Sequence, residues 1–173
     1  MNGTECDVNS IGFSCPALVA AVAEVSHVRF RDARVLFDPI IKEAARIWLQ
    51  GSKIDTSKNF DRLEDVITRF VESMPDPPDL TMTTAPGGAV KLVIGNTCPF
   101  WSACQIMNEK IGVIEGCAEA ITLLQVIDQM WQSGESLTYE FQPAQRRGRA
   151  CTIYIGTVEQ ILLNQEYQSL YNS

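Results

Sequence analysis

Apolar residues recur with a helical period through the first half of the chain. Ala17 to Val25 is a short apolar stretch behind Pro16, which is favoured in the first turn of a helix. The next pattern runs from Phe30 to Leu49, and Pro39 predicts a helix that begins with Asp38 as its cap and ends at Gly51. Its expected inward positions are Leu36, Ile40, Ala44 and Ile47 on one face, with Phe37, Ile41, Ala45 and Trp48 beside them.

A third helix is predicted from Asn59 to Ser73, before a segment that cannot continue it. The prolines between Met74 and Asp79 remove backbone donors and clash with a helical path, so they indicate a stiff linker. The expected inward side chains of this helix are Phe60, Leu63, Ile67, Phe70 and Val71.

The period then changes to two, which is typical of strands. Leu80–Thr84 and Ala89–Ile94 flank a turn of Ala, Pro and two Gly residues, and this arrangement predicts a β-hairpin. A second hairpin is predicted from Leu137–Phe141 and Cys151–Ile155, which are joined by a loop containing Pro143 and Gly148.

A helix that is apolar over more than half its circumference is expected between the hairpins, from Ile111 to Gln132, as the central buried helix, and a closing helix is expected from Val158 to Tyr171. Glu115 and Glu119 lie one helical turn apart in the helix from Ile111 to Gln132. They indicate either the single exposed stripe of that helix or a contribution to a metal site. Together the elements predict an α+β fold, with an antiparallel four-stranded sheet from two hairpins and helices packed on one face.

Composition places the chain among ordinary globular proteins. Apolar residues make up 46% and charged residues 20% of 173 residues, with a net charge of −7. We expect a loose N-terminal arm over residues 1–14 and one domain over 15–173. The acidic balance argues against nucleic acid as a partner, and the longest apolar runs are too short for a transmembrane segment. The absence of a basic signal region leads us to expect a cytoplasmic protein.

Four of the six cysteines lie between Gly95 and Cys151. One hypothesis is that Cys98, Cys104, Cys117 and Cys151 together ligate zinc or an iron–sulfur cluster. No two of them are separated by just two residues, which is the usual spacing in zinc knuckles. Buried cysteines commonly pack as small apolar residues, which is the other interpretation.

Aromatic and sulfur-containing residues in the same region suggest a ligand pocket. In a binding domain they would surround a flat or long apolar molecule, although such residues at helical spacing also form ordinary cores. The candidate ligand-binding residues are Phe100, Trp101, Met107, Met130 and Trp131.

The order of elements resembles the 4-vinyl reductase domain family, which is related to subunits of vesicle-tethering complexes. In that family a helix begins near a cysteine, a hairpin follows, and a second cysteine opens the last strand after a glycine-containing turn. The matching positions are Cys117, Leu137–Phe141 and Arg147-Gly148-Arg149-Ala150-Cys151. The acidic ligand and the further cysteine of the zinc-binding members have no counterpart. The resemblance implies a binder of small molecules or hydrocarbons that is often dimeric.

No P-loop, nucleophile elbow or dinucleotide fingerprint is present. His27, the only histidine, is expected to be a packing or surface residue. Arg146, Arg147 and Arg149 form a basic cluster that suits either a solvated hairpin tip or an anionic partner.

From the family resemblance and the absence of catalytic motifs, we expect a non-enzymatic domain that binds an apolar or aromatic ligand. The alternatives are a dimerising adaptor that works as a homodimer or with a partner protein, and a cysteine-ligated metalloprotein sensor.

Overall fold

The computed structural model describes residues 15–52, 54, 55, 57, 59–74, 77–95, 97–131, 133–144 and 150–171. The predicted N-terminal arm and the arginine cluster at 146–149 lie outside these residues. The helices are α1 (Pro16–Phe30), α2 (Arg34–Gly51), α3 (Leu63–Glu72), α4 (Trp101–Ile111), α5 (Ala118–Met130) and α6 (Val158–Tyr171). The strands are β1 (Leu80–Thr84), β2 (Val90–Ile94), β3 (Thr138–Gln142) and β4 (Cys151–Gly156).

The four strands form one antiparallel sheet in the order β1-β2-β4-β3. Each predicted hairpin is formed, and the two hairpins meet through β2 and β4, where Leu92 lies opposite Ile153. Both of these central side chains are fully buried, together with Ile94 and Ile155. The predicted α+β class is therefore confirmed, with helices packed on an antiparallel four-stranded sheet.

The described residues divide into two compact units. Unit 1 contains the residues up to Ile54 and those from Cys98 to Gln125, and therefore holds α1, α2, α4 and most of α5. Unit 2 contains Asp55–Thr97 and the residues from Val126 onward, which hold α3, the sheet, the end of α5 and α6. None of the described helices is both long enough and apolar enough to cross a bilayer.

Helix α2 begins earlier than Pro39 predicts. It starts at Arg34 because two carboxylates accept hydrogen bonds from backbone N–H groups at its entrance: Asp32 accepts from Arg34 and Glu115 accepts from Ala33. Pro39 lies inside the helix, where its fixed φ suits the helix and only one backbone hydrogen bond is lost.

The buried face of α2 also differs from the expected one. Phe37, Ile41, Ala45 and Leu49 are buried, whereas the expected inward residues Ile40 and Ile47 are exposed. The two candidate faces are adjacent on the helix, and packing selects the one that includes the large ring of Phe37.

The predicted helix from Ile111 to Gln132 is wrong at its start. Gly112 ends α4 with a left-handed backbone, φ 76°, and its N–H donates to the carbonyl of Asn108. Gly116 follows in the connection, and a Cβ at that position would lie 2.4 Å from the ring of Phe37. Helix α5 therefore begins only at Ala118, and α4 is a separate helix of 11 residues before it.

In unit 2, α6 packs closely against the sheet and the first hairpin turn. Ile161 of α6 joins Tyr154 of β4 in a buried cluster with Ala85 and Ala89. The approach is closest at Gly87, where an added Cβ would lie 2.5 Å from the carbonyl oxygen of Gln160. The turn therefore has room only for glycine beneath the helix backbone.

Candidate functional site

The junction between α1 and α2 is held by polar side chains of unit 1. The hydroxyl of Ser26 donates to the carbonyl of Asp32 at 2.8 Å and accepts from the N–H of Leu36 at 3.0 Å. Ser26 is fully buried, so these two bonds satisfy a hydroxyl that has no access to water. These hydrogen bonds from a buried side chain therefore fix the turn between α1 and α2.

Glu115 connects this junction to the segment that precedes α5. Its Oε2 atom accepts a hydrogen bond from the N–H of Ala33 at 2.7 Å and lies 3.2 Å from Nδ1 of His27. The sequence shows no partner for His27, but the fold supplies one from a residue 88 positions away. Glu115 therefore has structural partners at the entrance of α2, and it positions the chain just before Cys117 and Glu119.

Glu119 is the candidate functional residue. It lies in the first turn of α5 with a relative exposure of 0%, and neither carboxyl oxygen has a hydrogen-bond partner among the described residues. Thr122, one turn along and equally buried, donates its hydroxyl to the carbonyl of Ala118 at 2.8 Å. A buried polar group normally finds such a partner, so the carboxyl of Glu119 is an exception that requires explanation.

The surroundings of Glu119 change its protonation. Burial raises the pKa of its carboxyl from the ordinary 4.5 to about 7, because an apolar environment penalises the charged form. Cys117, Ala118 and Ala120, its neighbours in sequence, are buried as well. The interpretation of Glu115 and Glu119 as an exposed stripe is therefore wrong for Glu119.

The candidate ligand-binding residues are divided between the two units. In unit 1, Phe100 and Met107 are buried, and Trp101 is half-buried at the start of α4. In unit 2, Met130 is fully buried at the end of α5, and the half-buried Trp131 pairs with Phe60 in an isolated bridge. Phe100, Trp101 and Met107 thus belong to the same unit as Glu119.

The four candidate metal ligands are divided between the units, with Cys98, Cys104 and Cys117 in unit 1 and Cys151 in unit 2. Among the described residues, no group of three or more His, Cys, Asp or Glu side chains is arranged to hold a metal ion. Cys98, Cys104, Cys117 and Cys151 are thiols outside any disulfide, whereas Cys15 is disulfide-bonded.

Two of these thiols have local environments that suit packing. Cys117 is buried directly before α5, and its carbonyl accepts the N–H of Ile121. The sulfur of Cys151 accepts a hydrogen bond from the N–H of Ala144 at 3.3 Å, and burial raises the pKa of its thiol. Their surroundings fit the interpretation of buried cysteines as small apolar residues.

A second polar cluster lies between α6 and the sheet in unit 2. Burial raises the pKa of Tyr154, the nearby Glu140 adds to this rise, and hydrogen bonds with Gln168 and Asn164 oppose it. Oε2 of Glu140 and Nδ2 of Asn164 are buried without a hydrogen-bond partner among the described residues. Both residues also interact with Tyr154, and each has only one unpartnered atom, so the cluster is a weaker candidate than Glu119.

The sequence contains a signal for Glu119. Around it the chain reads C-A-E-A-I-T-L-L, in which Glu119 is the only charged residue, so the neighbouring positions offer few polar groups to a carboxylate. For His27 and Glu115 no such signal exists, because their contact depends on tertiary structure.

Comparisons with family models, with curated proteins and with solved structures found no match for this chain. The resemblance to the 4-vinyl reductase domain family therefore stays a prediction from the order of elements and the two cysteines.

Proposed function

We propose that this protein is a non-enzymatic domain that binds a small apolar or aromatic molecule at Glu119. The observation that carries the proposal is the buried carboxyl group, whose two oxygens have no partner among the described residues. Ligand sites in proteins are mainly apolar and contain a few polar groups that orient the bound molecule. Glu119 has the properties of such a polar group.

The composition of unit 1 supports an apolar ligand. Phe100 and Met107 are buried in this unit, and the start of α5 is lined by small apolar residues. A fully polar molecule would lose its hydration here without gaining many hydrogen bonds, whereas an apolar body with one polar group would lose little. The proposed relation to hydrocarbon-binding domains agrees with this preference.

Native mass spectrometry of freshly purified protein, together with a thermal-shift screen, tests the proposal. We expect either a retained small molecule or an increase in Tm with hydrophobic probes such as 2-phenylethanol and 1-octanol. A mass equal to that of the bare chain, combined with an unchanged Tm for every probe, would overturn it.

A dimerising adaptor is the second candidate, and the exposed apolar residues of α6 favour it. Leu162 is 53% exposed and Leu170 is 74% exposed, and Val158, Leu163 and Tyr167 are exposed as well. Apolar side chains grouped on one helix are typical of surfaces that associate with another protein.

Sedimentation velocity distinguishes the two candidates. An adaptor of this kind would sediment as a dimer that Leu170→Glu dissociates, while the matched substitution Gln165→Glu, at an exposed position on the same helix, leaves it intact. A monomer at every concentration would count against the adaptor and leave the ligand-binding proposal standing.

A further inference from the structure

The charges around Glu119 restrict the kind of molecule that satisfies it. The described ion pairs of unit 1 use other carboxylates, namely those of Asp38, Glu43 and Glu115. Among the described residues no Lys, Arg or His pairs with Glu119, and no N–H or O–H donates to it. The ionised form of Glu119 can only accept hydrogen bonds, and buried carboxylates in proteins are normally paired or hydrogen-bonded, so the missing partner of this form is a donor, and a positively charged donor fits best.

We propose that the molecule bound at Glu119 is a cation: a small apolar or aromatic amine whose protonated nitrogen donates hydrogen bonds to the two carboxyl oxygens. This inference rests on the proposed function and adds the charge of the ligand. An ammonium group provides three N–H donors and no acceptor, which complements a carboxylate with two unoccupied oxygens.

Other classes of ligand satisfy this carboxyl group less well. A hydrocarbon supplies no donor and leaves both oxygens unpaired. A carboxylic acid brings a second negative charge toward Glu119 within an apolar environment, where like charges repel strongly. An alcohol donates a single hydrogen bond. Only the amine forms a pair with no net charge, and a neutral pair is the form in which an apolar interior tolerates two ions.

The connection between α4 and α5 is the segment next to Glu119 in sequence that lacks regular secondary structure. Residues 112–117 have no regular secondary structure, and Gly112 and Val113 are exposed. Segments without backbone ladder bonds open at lower free energy than helices do. A ligand that enters here must break the hydrogen bond between Glu115 and the N–H of Ala33 and displace Phe37 from Gly116, but it leaves α5 itself folded.

Three ligands of matched size test the charge preference: 2-phenylethylamine, 2-phenylethanol and 3-phenylpropanoic acid. Thermal shift and calorimetric titration of the full chain are expected to show the amine binding more tightly than the alcohol by about tenfold or more, with the acid the weakest. Equal binding of amine and alcohol, or preferential binding of the acid, would overturn the cation inference while the proposed function stands. If neither these three ligands nor the corresponding octyl compounds bind, both the cation inference and the proposed function are contradicted.

Substitutions locate the preference at Glu119. Glu119→Gln keeps the size of the side chain and removes its charge, so the advantage of the amine over the alcohol should disappear. Glu135→Gln, an exposed position, is the matched control and should retain it. If Glu119→Gln does not fold, Glu119→Asp keeps the charge with a shorter side chain and should still prefer the amine. An amine preference that persists in Glu119→Gln would show that the cation binds elsewhere.

Discussion

Glu119 makes the stability of this protein dependent on pH. Because its pKa rises from 4.5 in the unfolded chain to about 7 in the folded chain, the folded state keeps its proton at pH values where the unfolded state has lost it. The free energy of unfolding therefore falls as pH rises from 4.5 to 7 and levels off above 7. Over this pH range, Glu119 lowers the free energy of unfolding by about 3 kcal/mol.

Urea unfolding of the wild type and of Glu119→Gln, measured from pH 4.5 to 8.5, isolates this effect, because all other ionisable groups act in both proteins. We expect the wild type to lose stability relative to the variant as pH rises. Glu166→Gln, at an exposed site on α6, should behave like the wild type. Parallel curves for wild type and Glu119→Gln would contradict the burial of this carboxyl group.

Glu115 should contribute to stability through the N–H of Ala33, which is fully buried and has Glu115 as its acceptor. Glu115→Ala leaves this donor without that acceptor and is expected to cost about 1–3 kcal/mol. Glu115→Gln retains a carbonyl oxygen at the same place and should cost less than half as much.

Chemical denaturation measures both variants, with Glu109→Ala as a control on the exposed face of α4. The control should remain within about 0.5 kcal/mol of wild type. Equal losses for Glu115→Ala and Glu115→Gln would mean that the acceptor for Ala33 is not what stabilises the junction.

At the scale of elements, the contact between α6 and the first hairpin turn depends on Gly87. A methyl group there would meet the backbone of Gln160 and Asn164, which cannot move as a side chain does. Gly87→Ala should therefore destabilise the protein by about 1–3 kcal/mol.

Gly51→Ala is the matched control for this substitution. Nothing lies within 4 Å of the added methyl group at the end of α2, so the change should be neutral or stabilising by up to about 1 kcal/mol. Comparison of the two Tm values checks the prediction. A Gly87→Ala variant as stable as wild type would show that α6 is not held against the turn.

The element boundaries show which features the sequence pattern determines. The strands begin or end within a residue or two of their predicted bounds, because alternation and turn residues act locally. The starts of α2 and α5 depend on distant partners: Glu115 accepts the N–H of Ala33, and Phe37 occupies the space beside Gly116. No local pattern contains either contact, so Pro39 and the apolar run predict the wrong helix starts.

The distinction between local sequence pattern and tertiary contact also applies to the candidate site at Glu119. The apolar surroundings of Glu119 are visible in the sequence, but its complete burial and its lack of a partner are consequences of packing. The cysteines show the reverse case: four thiols in one stretch suggest convergence, whereas the part of the chain that the structure describes contains no group of three or more His, Cys, Asp or Glu side chains that could hold a metal.

At the scale of the whole molecule, metal content distinguishes the metalloprotein hypothesis from the proposed ligand-binding domain. If the cysteines pack as small apolar residues, as the burial of Cys117 suggests, elemental analysis of protein purified without chelator should show zinc and iron well below one equivalent. One equivalent of either metal that is lost in Cys117→Ser but kept in Cys98→Ser would contradict this expectation and restore a thiolate site.

Unit 1 is assembled from two stretches of sequence that are separated by Asp55–Thr97, and this arrangement constrains synthesis. On the ribosome, α1 and α2 emerge well before Trp101–Ile111, the helix against which α1 packs. The apolar faces of α1 and α2 stay exposed, or are bound by a chaperone, until translation passes Gln125. A truncated gene that stops before Cys98 should accordingly yield an aggregation-prone nascent chain, and neither unit can be expressed as one uninterrupted fragment.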